Sequence, residues 1–252
     1  MSLTPNERER YKRHLLLPEV GGQGQQKLKA AKVLVVGAGG LGCPILTYLA
    51  AAGVGTIGIC DGDRIELSNL QRQTLYRTED VGEPKAERAA HALKALNPHN
   101  EYRVHSTFLD KMNADSLVAS YDLIIEGLDR YAPRYTLNSA CLREKKPLLS
   151  AAIGRFDGQV ALFEPGIEGK PCYACLVPEA PTDEAQCEAE GVLGAIPGVV
   201  GALAATEAIK WLCEMEGALS EELLIYSGVQ GVLRRVRLRQ DPGCLVCSLP
   251  RP

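Results

Sequence analysis

The stretch from Lys32 to Asp63 reads KVLVVGAGGLGCPILTYLAAAGVGTIGICDGD and constrains this chain more than any other. The apolar residues Val33, Leu34, Val35 and Val36 lead directly into Gly37, Gly39, Gly40 and Gly42. Small and apolar residues at helical spacing follow, and a second apolar run ends at Asp61, with Asp63 beside it. A strand, a glycine turn, a helix and a second strand closing on an acid form the order of a nucleotide-binding βαβ unit. Glycines let the backbone approach a ligand closely, and the N–H groups and dipole of the helix start suit phosphate. Asp61 lies 19 positions after Gly42, where a carboxylate accepts hydrogen bonds from ribose hydroxyls. Together, the strand before, the helix after and the acid at this distance separate the motif from a glycine turn that serves packing alone.

At 252 residues and 46% hydrophobic content, the chain can bury the core of one large α/β domain, or of a nucleotide half with an appended half. A net charge of −3 gives no electrostatic reason to bind nucleic acid or membrane. The N-terminus MSLTPNERERYKRH lacks the apolar core of a signal peptide. The longest apolar run, residues 192–205, is interrupted by Pro197 and falls short of the roughly 20 residues of a spanning helix. It reads as a buried helix with its lead-in, and the expected setting is the cytoplasm.

Cysteine usage carries a second signal. Four of the nine cysteines form the pairs Cys172-Tyr-Ala-Cys175 and Cys244-Leu-Val-Cys247. Two such pairs offer four thiolates to a tetrahedral zinc ion, which would tie the C-terminal tail back onto the body. Disulfides fit poorly with an odd cysteine count and no secretion signal, and a single redox pair leaves the second pair unexplained. Cys43, Cys60, Cys141 and Cys213 sit in apolar or helical contexts and read as core residues.

Along the chain, residues 5–31 read as two short helices, the second over 25–32. A polar turn containing Asn69, Arg72 and Gln73 follows the second strand, and a helix opens at Glu83-Pro84-Lys85 and runs to about Leu96. Strands are expected over 102–106, 121–127 and 147–152, with a helix over 132–144. Residues 155–164 read as a hairpin arm around Asp157-Gly158, followed by a segment over 177–191 with little apolar pattern. A helix over 197–211 and strands over 223–226 and 232–239 complete the chain. The fold class is α/β: a Rossmann-like doubly wound, largely parallel sheet with a C-terminal β-rich extension stapled by zinc.

The motif leaves hydride transfer with NAD or chemistry on ATP. No GxxxxGK[ST] loop is present. Asn69, Arg72, Gln73 and Lys85 follow the second strand and fall on the nucleotide side of the sheet. So many phosphate-seeking groups suit an enzyme that stabilises charge on a triphosphate better than a dehydrogenase. Asp129, at the carboxyl end of the fourth strand, is suited to hold magnesium beside those phosphates.

These residues carry a resemblance. The stretch GAGGLGCPILTYLAAAGVGTIGICDGD, then LSNLQRQTLY, VGEPKAE and LNPH, resembles the ubiquitin-activating superfamily and, within it, the bacterial MoeB/ThiF adenylyltransferases. The likeness runs from Arg10-Tyr-Lys-Arg13 to the last cysteine pair. It implies that ATP and magnesium are used to adenylate the C-terminal glycine of a small ubiquitin-like sulfur-carrier protein ending in Gly-Gly. Pyrophosphate would be released, and sulfur from a separate donor protein would then convert the acyl-adenylate to a thiocarboxylate, for molybdopterin, thiamine or another pathway.

By the same resemblance Asp61 binds ribose, Asn69, Arg72 and Lys85 hold the phosphates, and Asp129 binds magnesium. Arg13 reaches the triphosphate of the second subunit in a homodimer. Cys187 matches a cysteine that links covalently to the carrier in some members and is dispensable in others; its neighbours Glu184, Glu188 and Glu190 would not stabilise a thiolate. Arg130 stands where the family usually has asparagine. The implied organisation is one unit: an N-terminal arm (1–31), a nucleotide-binding half (32–153) and a carrier-binding and zinc half (154–252). The related tRNA-modifying dehydratases share the ATP site, but they lack the cysteine quartet, and this chain has no basic excess for RNA.

Overall fold

A computed structural model describes residues 2–180 and 191–248. Eight strands form one sheet: β1 (Lys32–Val36), β2 (Thr56–Cys60), β3 (Glu101–His105), β4 (Leu123–Glu126), β5 (Leu148–Ile153), β6 (Asp157–Phe163), β7 (Glu222–Ser227) and β8 (Val232–Arg237). Their order is β3-β2-β1-β4-β5-β6-β7-β8. The first five are parallel, and the last three add antiparallel to β5 in sequence order. The expected extension is therefore a continuation of the same sheet. Strands β1, β2 and β4 are nearly all apolar and buried, as parallel strands covered on both faces must be.

The described helices are α1 (Pro5–Arg10), α2 (Lys12–Leu15), α3 (Gly21–Ala30), α4 (Gly42–Ala52), α5 (Lys85–Leu96), α6 (Ala114–Ala119), α7 (Tyr131–Glu144), α8 (Tyr173–Leu176) and α9 (Ala195–Leu212). The N-terminal arm thus holds three helices where two were expected. Gly21, Gly22 and Gly24 sit in the first turn of α3; glycine's poor helix propensity hid that turn in the sequence, and Lys32 belongs to β1. Thr4 caps α1 through a reciprocal pair of hydrogen bonds with Glu7 (3.2 and 2.8 Å), and Glu7 also meets Lys29 of α3 at 2.8 Å.

The hairpin turn also lies elsewhere than expected. It falls at 154–156, closed by the Gly154 N–H on the Asp157 carbonyl (2.8 Å), and Asp157 and Gly158 lie inside β6. Gly158 marks a close approach: a Cβ there would stand 2.3 Å from Val200 of α9. Short α6 and α8 carried too little periodicity to be expected. Among the described residues only α9 is long and apolar enough to cross a membrane by length and composition. It packs against α4, β5 and β6 and buries Glu207, which takes Lys210 (2.8 Å) and the Leu219 N–H (3.0 Å). That is the expected buried helix.

Candidate nucleotide site and metal centre

Strand order reverses between β1 and β4, so the loops leaving these strands part and open a crevice at their carboxyl ends, where open α/β sheets bind ligands. One wall is the glycine turn. Gly37 has φ +93°, and a Cβ on Gly42 would meet the Gly37 carbonyl oxygen at 2.0 Å, so neither position tolerates a side chain. The other wall is Gly127-Leu128-Asp129; the Gly127 oxygen and Leu128 Cδ2 lie 3.2 and 3.8 Å from the Cβ position of Gly37.

Asp61 closes β2 against this turn. Its carboxylate accepts the N–H of Ala38 (2.7 Å) and of Asp63 (2.8 Å), which orients both oxygens and leaves each a lone pair for a ribose hydroxyl. Burial raises its pKa, against the lowering effect of those two N–H groups. Lys85 opens α5 and is buried, with Nζ 3.0 Å from Asp63 Oδ2, while its N–H meets the Asp63 carbonyl at 2.9 Å. The ammonium is thus held at the mouth of the crevice by a half-exposed carboxylate.

Arg72 and Gln73 lie over the glycines. Arg72 Cδ is 3.5 Å from the Cβ position of Gly40, and Gln73 Nε2 is 3.6 Å from that of Gly39. Gln73 is buried, and its Oε1 has no hydrogen-bond partner. A buried polar atom without a partner is costly, and here it stands beside a turn open to a hydrogen-bonding ligand. Asn69 is buried but occupied locally: Oδ1 accepts the Glu66 N–H at 3.2 Å and shapes the turn that carries Arg72. Asp129 is exposed and has no hydrogen bond or ion pair among the described residues.

One contributor escaped the sequence reading. Tyr76 is buried, and its hydroxyl donates to the Ala38 carbonyl (2.7 Å) and lies 3.3 Å from that of Lys85. It ties the glycine turn to the start of α5. Its place three residues after Gln73 was the available signal, but apolar spacing alone marks it as core. Glu126, closing an otherwise apolar strand, is another missed residue; a buried acid demands a partner, and Arg134 supplies it at 3.4 Å.

The quartet assembles across the chain. Cys172 caps the single turn of α8 and Cys175 lies within it, and Cys244 and Cys247 return to it, with all four Sγ atoms within 4.8 Å of one another. Cys172–Cys244 is 3.8 Å and Cys175–Cys247 is 3.4 Å. Four sulfurs at 2.3 Å from a tetrahedral zinc stand about 3.8 Å apart, so the donor set fits that ion. Asn138 Nδ2 and Gln240 Nε2 donate to Cys172 and Cys247 at 3.6 Å each, as amides around thiolates do.

Two expected site residues lie apart. Arg13 is exposed on α2 at the far end of α4: the adjacent His14 meets Gln25 (3.0 Å), whose amide donates to the Ala52 carbonyl (2.8 Å). Cys187 falls outside the described residues.

Comparison with known proteins agrees with this arrangement. The model of the ThiF family matches residues 11–246. A sulfur carrier protein adenylyltransferase of Thermus thermophilus is 46% identical over 98% of this chain and 93% of its own. An adenylyltransferase and sulfurtransferase MOCS3 of Anopheles gambiae is 45% identical over 98% of this chain, which spans 56% of that protein. Among solved structures, Escherichia coli MccB with AMPCPP and MccA superposes with a TM-score of 0.84 at 24% identity, over 98% of this chain and 75% of that one. That likeness concerns the fold.

Proposed function

Since the chain belongs to the ThiF family, we propose that it adenylates the C-terminal carboxylate of a small sulfur-carrier protein with ATP. A carboxylate oxygen of the carrier attacks the α-phosphorus, a C(O)–O–P bond forms, and the α–β bridging bond breaks, releasing pyrophosphate with the electron pair. The observation that carries this reading is the joining of Asp61, Arg72, Gln73 and Lys85 to one glycine turn, across from the Asp129 loop. Asp61 takes the ribose. Lys85 and Arg72, with Asn69 beside them, hold the phosphates and meet charge as it builds on the leaving group. The carboxylate is already a nucleophile, so positioned cations matter more than a base.

Asp129 would hold magnesium, which when bound neutralises charge on the β- and γ-phosphates. The four cysteines hold zinc in a structural role, because four thiolates leave no open coordination position. The carrier ends in Gly-Gly, a separate donor protein supplies the sulfur, and the enzyme works as a homodimer in which Arg13 serves the neighbouring site.

The test is carrier-dependent exchange of labelled pyrophosphate into ATP across carriers ending in Gly-Gly. Exchange should require the carrier and its terminal glycine, and Lys85→Ala should lower it about a hundredfold or more. Turnover indifferent to the carrier would overturn the reading.

A further inference from the structure

Asp129 has no partner of its own among the described residues, yet the residue before it is held by both peptide groups. The Leu128 N–H donates to Glu126 Oε2 at 2.9 Å. The Leu128 carbonyl accepts from Arg134 Nε at 3.0 Å and from Arg134 Nη2. Glu126 and Arg134 face each other at 3.4 Å, with 1% and 8% of their side chains exposed. Glu126 also accepts the Ser150 hydroxyl, and Arg134 reaches on to the Ala151 carbonyl at 3.2 Å. The pair therefore fastens the loop after β4 to β5 on one side and to α7 on the other.

Stability alone does not explain this arrangement. Arg134 lies in the first turn of α7, where the helix dipole disfavours a cation. A buried ion pair is often no better for stability than apolar residues of the same volume. What the pair accomplishes is geometric: with both peptide groups of Leu128 bonded, the peptide plane that carries the Asp129 N and Cα is held in place, and with it the point from which the side chain departs.

We infer that Glu126 and Arg134 are positioning residues for the reaction, aiming the Asp129 carboxylate at the cation of the nucleotide. This rests on the reading of Asp129 given above. The arrangement has the form of an outer shell acting through a peptide, and losing outer-shell partners lowers metal affinity about 10–100-fold.

Arg134→Lys is the informative variant. It keeps the charge opposite Glu126 and removes the planar fork that holds the Leu128 carbonyl. Magnesium is titrated in carrier-dependent pyrophosphate exchange at saturating ATP, for wild type, Arg134→Lys and Asp129→Ala. Half-maximal exchange in Arg134→Lys should need about tenfold more magnesium, with the KM for ATP at saturating magnesium little changed. Ser150→Ala, which removes only a hydroxyl from Glu126, should shift the same dependence less and in the same direction. It carries the test should Arg134→Lys melt below the assay temperature. A large defect in Asp129→Ala with unchanged magnesium dependence in both other variants would overturn the inference and leave the proposed function standing. Normal magnesium dependence in Asp129→Ala would remove its premise. Absence of carrier-dependent exchange in the wild type would instead count against the function itself.

Discussion

Lys85 owes its position to three contacts from two segments: Asp63 pairs with its ammonium, the Asp63 carbonyl takes its N–H, and the Tyr76 hydroxyl lies 3.3 Å from its carbonyl. Because Tyr76 also bonds the Ala38 carbonyl, one phenol sets the spacing between glycine turn and lysine. Burial raises the Tyr76 pKa above its ordinary value, so it remains a donor throughout the working range. Tyr76→Phe leaves the buried Ala38 carbonyl short of that donor, which should cost about 1–3 kcal/mol. The variant should also weaken ATP binding, since turn and cation lose their common brace. Denaturant unfolding and ATP titration check both, and unchanged ATP affinity would show the brace to be structural only. Much of this site was legible in the residues: the glycines, Asp61 and the polar run to Lys85 follow one another along the chain, and local order reflects function there. Tyr76, Glu126 and Arg134 were not, because their roles depend on contacts across strands and turns that no local pattern encodes.

At the scale of elements, two devices fasten the ends of the chain, and each responds to a different condition. The arm is anchored by Glu7. Burial alone would push its carboxyl up, but Lys29 and the Thr4 hydrogen bonds outweigh that and hold it at about 2, against an ordinary 4.5. A depressed carboxylate pKa gives stability that is complete above the unfolded value and is lost as pH falls from about 4.5 towards about 2. Glu7→Gln should be less stable than wild type near neutral pH and show a flatter loss across that acid window, as thermal melts at stepped pH would show. Equal slopes would remove Glu7 from the arm's acid sensitivity. The tail is anchored by the quartet. About one zinc per chain is expected, and Cys244→Ser should lower the melting temperature and release metal, because structural zinc contributes folding free energy. Metal analysis of protein prepared without chelator checks the first point; an absence of zinc would refute it. The parallel strands were readable because apolar runs between helical patterns have one good arrangement, whereas the glycine-rich start of α3 and the strand placement of Gly158 depended on packing.

For the molecule as a whole, the arm raises a question of reach. Arg13 sits beside the carboxyl end of α4, and the glycine turn stands at its other end; eleven residues of helix make that about 16 Å. The arm is held there by Gln25 on the Ala52 carbonyl and by Asn97 joining the Tyr11 hydroxyl (2.8 Å) to the Ala50 carbonyl (2.7 Å). Arg13 itself has no partner among the described residues. A two-fold dimer exchanging such arms would complete each site from the other chain. Arg13→Ala and Asp129→Ala should each be nearly inactive, and an equal mixture after subunit exchange should recover about a quarter of wild-type activity, since half the dimers are mixed and half their sites are whole. Recovery of nothing would return Arg13 to its own chain. The single sheet has a consequence of another kind. It ends on β8, an open rim whose residues are all exposed, Val232, Leu233 and Val236 among them. Such a rim invites another chain to add as a further strand and start a precipitate. Arg234, Arg235 and Arg237 share it with those apolar side chains. Arg235 pairs with Glu222 (2.9 Å) and Arg237 with Glu221 (3.8 Å), while Arg234 has no acidic partner among the described residues, so a second copy docking rim to rim would have to accommodate that charge. A charge on the rim should keep the protein dispersed at concentrations where a bare valine and leucine edge would stack, so Arg234→Val should raise light scattering at high protein concentration, and salt should raise it in the wild type before it weakens the fold.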